Sequence, residues 1–424
     1  MQSSRPSIRY SFMMPNRTFR VNSFAQAASM LAFALLLFVG CEEPGVVGGA
    51  FIDDEGNLVT NEFPVKEMTP TSSVSYSGRL DVVPMGHYND PLFGEITSVG
   101  LIRPDLNSIT LNRIDSTETV ALKLVFNGTE YGDTLSTAFF DVYEVAEPWR
   151  GKQLRYGDQI SYDPTKKIGS FAIAQADTAL IPMPEDWIFR YNGFISDTTT
   201  ATDSTYVFDM PGFAIVPDVS RSQKMVFLDL GTDASGTVES ETTRLFSEDT
   251  TGTFQYQRMA DWGAAVQREA SILQPTTSYK AMNTFEAFQK IDYEFTRESL
   301  VSQNLARVEM IFYEDTELLE GSLPGGHVRP AVTRANIHIV DEGDVGEEVF
   351  AGSPVFTTVK DTSINGFRFN LTSTANLFLF DTLQTHKYYL TVETNNGSFQ
   401  QTVLHGPDSP NESKRPHIIV TAIE

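Results

Sequence analysis

Val120-Ala121-Leu122-Lys123-Leu124-Val125-Phe126, followed by Asn127-Gly128, is the stretch from which the fold of this 424-residue chain is read. Val120, Leu122, Leu124 and Phe126 recur at every second position, the period at which strand side chains share one face of a sheet. Ala121, Lys123 and Val125 fall on the other face, and Asn-Gly is turn chemistry that ends such a run. The same period returns at Val308, Met310 and Phe312, and again at Phe367, Phe369 and Leu371. Further strands are predicted over 139–145, 206–209, 213–216, 225–230, 337–340, 388–393, 399–404 and 417–423. Tyr131-Gly132-Asp133 and Asn395-Asn396-Gly397 separate neighbouring runs, and the second is expected to close a hairpin between 388 and 404.

Many short strands with polar turns predict a mainly β chain, an antiparallel β-sandwich of jelly-roll type. Residues 119–126 and 304–312 look alike, which raises a duplicated sandwich as an expectation. Helical spacing is confined to one region. Met259, Trp262, Val266 and Ala270 stand at i, i+3, i+7 and i+11, and Phe285, Phe288 and Ile291 repeat the pattern, so a short helical insertion is expected near 257–292.

Outward from this framework, the first forty residues carry Arg5, Arg9, Arg17 and Arg20, no acid, and then an apolar run that is unbroken over 30–39. That order is a secretory signal, and ten residues are too few to span a bilayer, which takes about 20. Phe38-Val39-Gly40-Cys41 follows and resembles the lipobox of bacterial lipoproteins. Cys41 is the chain's single cysteine, which excludes an internal disulfide framework. The resemblance implies thioether-linked diacylglycerol on Cys41, with Glu42 and Glu43 similar to the export tags of Bacteroidota-type surface lipoproteins. The expected organisation is a signal peptide over 1–40, a Gly-, Pro- and acid-rich tether over 41–70, an N-terminal β-sandwich region over 71–235 and a C-terminal β-rich region over 236–424.

The chain holds 55 acidic and 31 basic side chains, a net charge of −24; without residues 1–40 the balance is 27 basic to 55 acidic, or −28. Such a surface repels polyphosphates, so nucleic acid is not an expected partner. With 30 Phe, 15 Tyr and 3 Trp, the composition is that of a folding chain.

Met85-Gly86-His87-Tyr88-Asn89-Asp90-Pro91-Leu92-Phe93-Gly94 resembles the Gly-x-Tyr-x-Asp-Pro-x-Phe-Gly signature of an uncharacterised family of Bacteroidota-type outer-membrane lipoproteins. Tyr131-Gly132-Asp133-Thr134 leading into Phe140-Asp141-Val142-Tyr143-Glu144-Val145, and Arg415-Pro416-His417 before the last strand, are also similar. The last two features further resemble carbohydrate-binding jelly rolls. The family implies a location and carries no reaction. Physically, Asn89-Asp90-Pro91 between two glycines reads as a structural corner anchored by Tyr88 and Phe93.

The search for chemistry turns up little. The six histidines, 87, 327, 338, 386, 405 and 417, show no metal-ligand spacing, and no nucleophile elbow, P-loop or dinucleotide fingerprint occurs. Asp341, Asp344, Glu347 and Glu348 form the most concentrated acidic loop and the candidate calcium ligands. Trp149, Tyr156 and Trp187 are the candidate sugar-stacking side chains, with Trp262 and Tyr162 as further aromatics. The expectation is a lipid-anchored, non-enzymatic protein of the outer membrane that binds or assembles partners, with no resident cofactor. The alternatives are a glycan-binding module of a polysaccharide-capture system and a surface hydrolase using paired carboxylates.

Overall fold

The computed structural model describes residues 58–106, 114, 118–175, 178–196, 203–230, 242–252, 254–293, 304–341, 343, 345–379 and 387–423. Among these the chain is mainly β and antiparallel, as the alternation predicts. The strands are β1 (Leu58–Thr71), β2 (Val82–Asp90), β3 (Gly94–Pro104), β4 (Thr119–Asp133), β5 (Ala138–Val145), β6 (Tyr162–Ile173), β7 (Thr178–Pro182), β8 (Phe213–Pro217), β9 (Lys224–Asp229), β10 (Arg244–Glu248) and β11 (Phe254–Gln257). They continue as β12 (Met259–Arg268), β13 (Ser278–Met282), β14 (Phe288–Tyr293), β15 (Asn304–Tyr313), β16 (His327–Val328), β17 (Arg334–Val340), β18 (Val355–Asp361), β19 (Gly366–Asn370), β20 (Lys387–Val392), β21 (Gln401–His405) and β22 (His417–Ile423). Five short helices accompany them: α1 (Glu185–Ser196), α2 (Asp203–Asp209), α3 (Thr316–Gly321), α4 (Glu347–Gly352) and α5 (Thr372–Leu379).

Two β bodies result. A twelve-stranded sheet runs β11-β10-β4-β9-β2-β3-β8-β5-β6, with β12 on β3 and both β7 and β16 on β4. A closed barrel follows the order β1-β14-β20-β17-β18-β19-β15-β22, and β13 pairs with β21 as a separate ribbon. Each body has its own core. Tyr88, Leu122, Leu124, Phe140, Phe213 and Phe227 fill the first, whereas Val308, Met310, Phe312, Ile337, Phe367 and Leu390 fill the barrel. Leu122, Leu124, Val308, Met310, Phe312 and Phe367 among them belong to the alternating sets noted in the sequence.

Several expectations are corrected. The helical insertion is absent, because 259–268 is β12, laid antiparallel along nine residues of β3. Its Gly263 lies so close to the Gly78 backbone that an added Cβ would sit 2.9 Å from the Gly78 Cα. Tertiary pairing overrides helical spacing here, and Phe288 and Ile291 likewise belong to strand β14. Conversely, 206–209 lies in helix α2.

The expected tether also gives way. Residues 58–71 form β1, which closes the barrel between β14 and β22. Its Pro64 is accommodated beside a register shift between Val65 and Glu67, where a strand tolerates a missing donor. The two bodies interleave along the chain: the barrel draws β1 from ahead of the sheet, and the sheet draws β16 from beyond Arg268, so residues 58–424 form one compact unit.

Asn127-Gly128 does not end its strand. It sits within β4, where the register with β9 slips between Phe126 and Glu130. Nor does Asn395-Asn396-Gly397 close a hairpin, since β20 pairs with β14 and β17 while β21 pairs with β13. The two similar stretches lie in different bodies with different neighbours: β4 beside β10, β7 and β9, and β15 between β19 and β22.

Candidate functional site

The signature stretch folds into the corner between β2 and β3, and its polar groups turn inward. Asp90 is fully buried. Its Oδ1 accepts from the Leu92 and Phe93 amides at 2.8 and 3.0 Å, which forms the turn. The same carboxylate reaches across the seam to the barrel side. Arg329, between β16 and β17, donates from Nε to Oδ2 at 2.6 Å and from Nη2 to Oδ1 at 2.8 Å. This is a bidentate pair. Tyr131 donates to Oδ2 at 2.8 Å and accepts from Gln401 of β21. Arg329 also donates to the Leu319 carbonyl and the Ser322 hydroxyl.

Burial alone would raise the Asp90 pKa, but the Arg329 bonds and charge, the Phe93 amide and Tyr131 together hold the carboxyl below its ordinary value. Burial and the Asp90 charge push the Tyr131 hydroxyl well up, so it remains a donor. Tyr88 stands edge-on to Tyr131, with ring centroids 5.0 Å apart, and its hydroxyl lies 3.0 Å from Nδ1 of His327. The glycines follow from this packing. A Cβ on Gly132 would lie 2.8 Å from the Tyr88 ring, and one on Gly94, at φ +96°, 2.0 Å from the Glu269 carbonyl. The corner is a latch between sheet and barrel.

The sequence-predicted site residues fare differently. Trp149, Tyr156 and Trp187 are 4, 8 and 2% exposed, so they form no sugar platform. Trp149 donates from its indole to the Pro211 carbonyl at 2.7 Å, Trp187 stacks on Tyr191, and Tyr156 packs against Phe399. They are core aromatics, the ordinary fate of such side chains in a β protein. Tyr162 stacks on Tyr143, and Trp262 lies under the Arg79 guanidinium.

In the acidic loop, Asp344 lies outside the described residues. Glu347 and Glu348 open α4 and are already engaged: Ser75 and the Tyr76 amide donate to Glu347, and the Tyr76 hydroxyl and Arg155 donate to Glu348. The structure does not gather them with Asp341 around a common centre. Among the described residues no three His, Cys, Asp or Glu side chains come together as a metal-binding group. Cys41 lies outside the described residues, and among these no helix is long and apolar enough to cross a membrane.

A surface cleft of about 710 Å³ is lined by Glu314, Asp315, His405, Ser409 and Lys414 among others. Ser278 donates to Asp315 Oδ2 at 2.6 Å, and His405 Nδ1 lies 3.8 Å from the same oxygen and 3.2 Å from Ser409 Oγ. A nucleophilic triad needs serine and acid on opposite imidazole nitrogens. Here both address Nδ1, and Ser409 is fully buried. The arrangement holds a turn and lines the cleft with hydrogen-bonding groups. This cleft was illegible in the sequence, because Asp315 meets His405 only where the end of β15 bridges to β21, some ninety residues on.

No protein-family model and no curated protein matches the chain. Among solved structures, the chain is aligned with one in "The 3.5 A resolution structure of the Sputnik virophage by cryo-EM", at 10% identity and a TM-score of 0.10, covering 87% of this chain and 86% of that one.

Proposed function

We propose that this protein is a lipid-anchored, non-enzymatic component of the outer membrane, held at the cell surface and acting through binding or assembly. The observation that carries the reading is the single cysteine, Cys41, placed directly after a basic start and an apolar run. Two or three acyl chains, at about 0.8 kcal/mol per buried CH₂, anchor a protein firmly where one does so marginally. Sixteen residues separate Cys41 from Leu58, the first residue of β1. They give a reach of at most about 55 Å. The cleft around Asp315 and His405 supports a binding role, since it offers donors and acceptors without a nucleophile–base geometry.

The test is palmitate labelling and membrane fractionation of the wild type and Cys41→Ser. Label and outer-membrane residence lost in the variant support the reading; an unlabelled, soluble wild type overturns it. Protease digestion of intact cells then separates the outer from the periplasmic face. A glycan-capture reading keeps one specific support, now on different residues. Phe254 of β11 is 48% exposed, and its ring lies nearly parallel to Tyr256 at 6.3 Å, with Phe246 of β10 alongside. A glycan-array signal lost in Phe254→Ala favours that role over protein assembly.

A further inference from the structure

Helix α4 bridges the two bodies. On the barrel side, Phe350 of α4 is buried among Phe285, Phe288 and Tyr389 and stacks on His338 of β17, with centroids 4.5 Å apart. On the other side, Glu347 and Glu348 hold the segment at Ser75 and Tyr76. That segment is itself tied to the sheet body: Tyr76 bridges to Arg155, whose guanidinium lies 4.0 Å over the Tyr76 ring. Asn395 of the barrel side completes the junction by donating to Ser75 Oγ and the Tyr76 carbonyl, both at 2.8 Å.

The barrel end of this bridge rests on His338 of β17, a ring only 8% exposed. Its Nε2 lies 3.0 Å from Thr391 Oγ1 on β20 and its Nδ1 3.2 Å from Ser353 Oγ just after α4. Both contacts are hydroxyls, and neither supplies a counter-charge. The titratable and charged groups carried by the surrounding elements are Glu347 and Glu348 on α4, Lys387, Tyr388 and Tyr389 on β20, Arg334 on β17 itself, and Lys360 and Asp361 on β18. None of these figures among the causes of the His338 shift. Burial lowers its pKa to about 4, opposed only by a bond to the Phe350 carbonyl. A proton arriving on this ring therefore places a desolvated charge beside the Phe350 carbonyl and two hydroxyls.

We propose that α4 is an acid-released clasp: protonation of His338 frees α4 from the barrel and so loosens the bridge to the Ser75–Tyr76 segment and the sheet body. The sign follows from linkage. The folded pKa lies below the ordinary value of 6.5, so the open form binds the proton more tightly, and the clasp weakens as pH falls through 6.5 towards 4. With those two values the opening equilibrium rises about 30-fold between pH 7.5 and pH 5.

Hydrogen exchange of the full chain, corrected for intrinsic rates, tests this on 345–353 and 73–76. The expected result is a loss of protection of about that size in the wild type and a flat response in His338→Gln, which keeps hydrogen-bonding capacity without the charge. No change in the wild type, or an equal change in both proteins, overturns the proposal. If His338→Gln fails to fold at pH 7, the wild-type imidazole signal decides: a ring titrating near 4 supports the clasp, and one titrating near 6.5 refutes it.

Discussion

Asp90→Asn probes the latch with the least disturbance of shape. The amide still offers one oxygen to the Leu92 and Phe93 N–H groups, so the turn keeps its bonds. What is lost is the charge opposite Arg329 and the Oδ2 acceptor of its Nε and of Tyr131; Arg329, 8% exposed, is left with neutral partners, the amide oxygen, the Leu319 carbonyl, the Ser322 hydroxyl and the Phe93 ring. Removing one partner of a buried pair costs about 3–5 kcal/mol. The remaining neutral acceptors place the expectation near the lower end, at about 3 kcal/mol. Urea unfolding of residues 58–424 measures it. Arg329→Met with Asp90→Asn is expected to cost less than the two single changes added together, by about 1–3 kcal/mol. Because Asp90 belongs to the sheet and Arg329 leads into the barrel, the single variant is also expected to unfold in two steps. Asp90 titrates below the ordinary carboxylate value, so its contribution is present above that value and lost as pH falls below it. Asp90→Asn should therefore flatten the acid limb of the stability curve. A coupling below about 0.5 kcal/mol, with the acid limb unchanged, would refute the latch.

Gly94→Ala meets both a φ of +96° and the Glu269 carbonyl 2.0 Å from the new Cβ, and is expected to cost more than about 2 kcal/mol in thermal or urea unfolding. Gly157→Ala shares a positive φ but has nothing within 4 Å, so it should cost only about 1 kcal/mol; equal costs would show that the close approach is unimportant. Trp187→Ala, a buried ring stacked on Tyr191, should destabilise by about 3–5 kcal/mol in the same assay while leaving any glycan-array signal unchanged. Cys41→Ser should abolish acyl labelling while leaving the circular dichroism of the full chain unaltered.

The strand periods at 120–126, 308–312 and 367–371 were legible because each strand buries one face, and burial of alternate residues is written locally in the chain. The same local reading failed at 259–268 and 58–71. At 259–268 it met helical spacing that pairing with β3 overrides; at 58–71 it met proline, glycine and acid in a segment whose partners, β14 and β22, lie more than 200 residues away. The corner at Asp90 was visible as a turn, since Asp and Pro act on their own backbone neighbours. Its bond to Arg329 was not, because nothing in either residue's surroundings names a partner 239 positions distant. The aromatic candidates show the same limit: composition counts tryptophans and tyrosines, but only packing decides whether Trp149, Tyr156 and Trp187 face water or the core. By itself the sequence determined the β class, the turn chemistry of the signature and the expectation of an anchor at Cys41, all set by residues adjacent in the chain. The tertiary structure alone decided the division into sheet and barrel, the latch, the cleft at His405 and the setting of His338, because each depends on distant segments meeting.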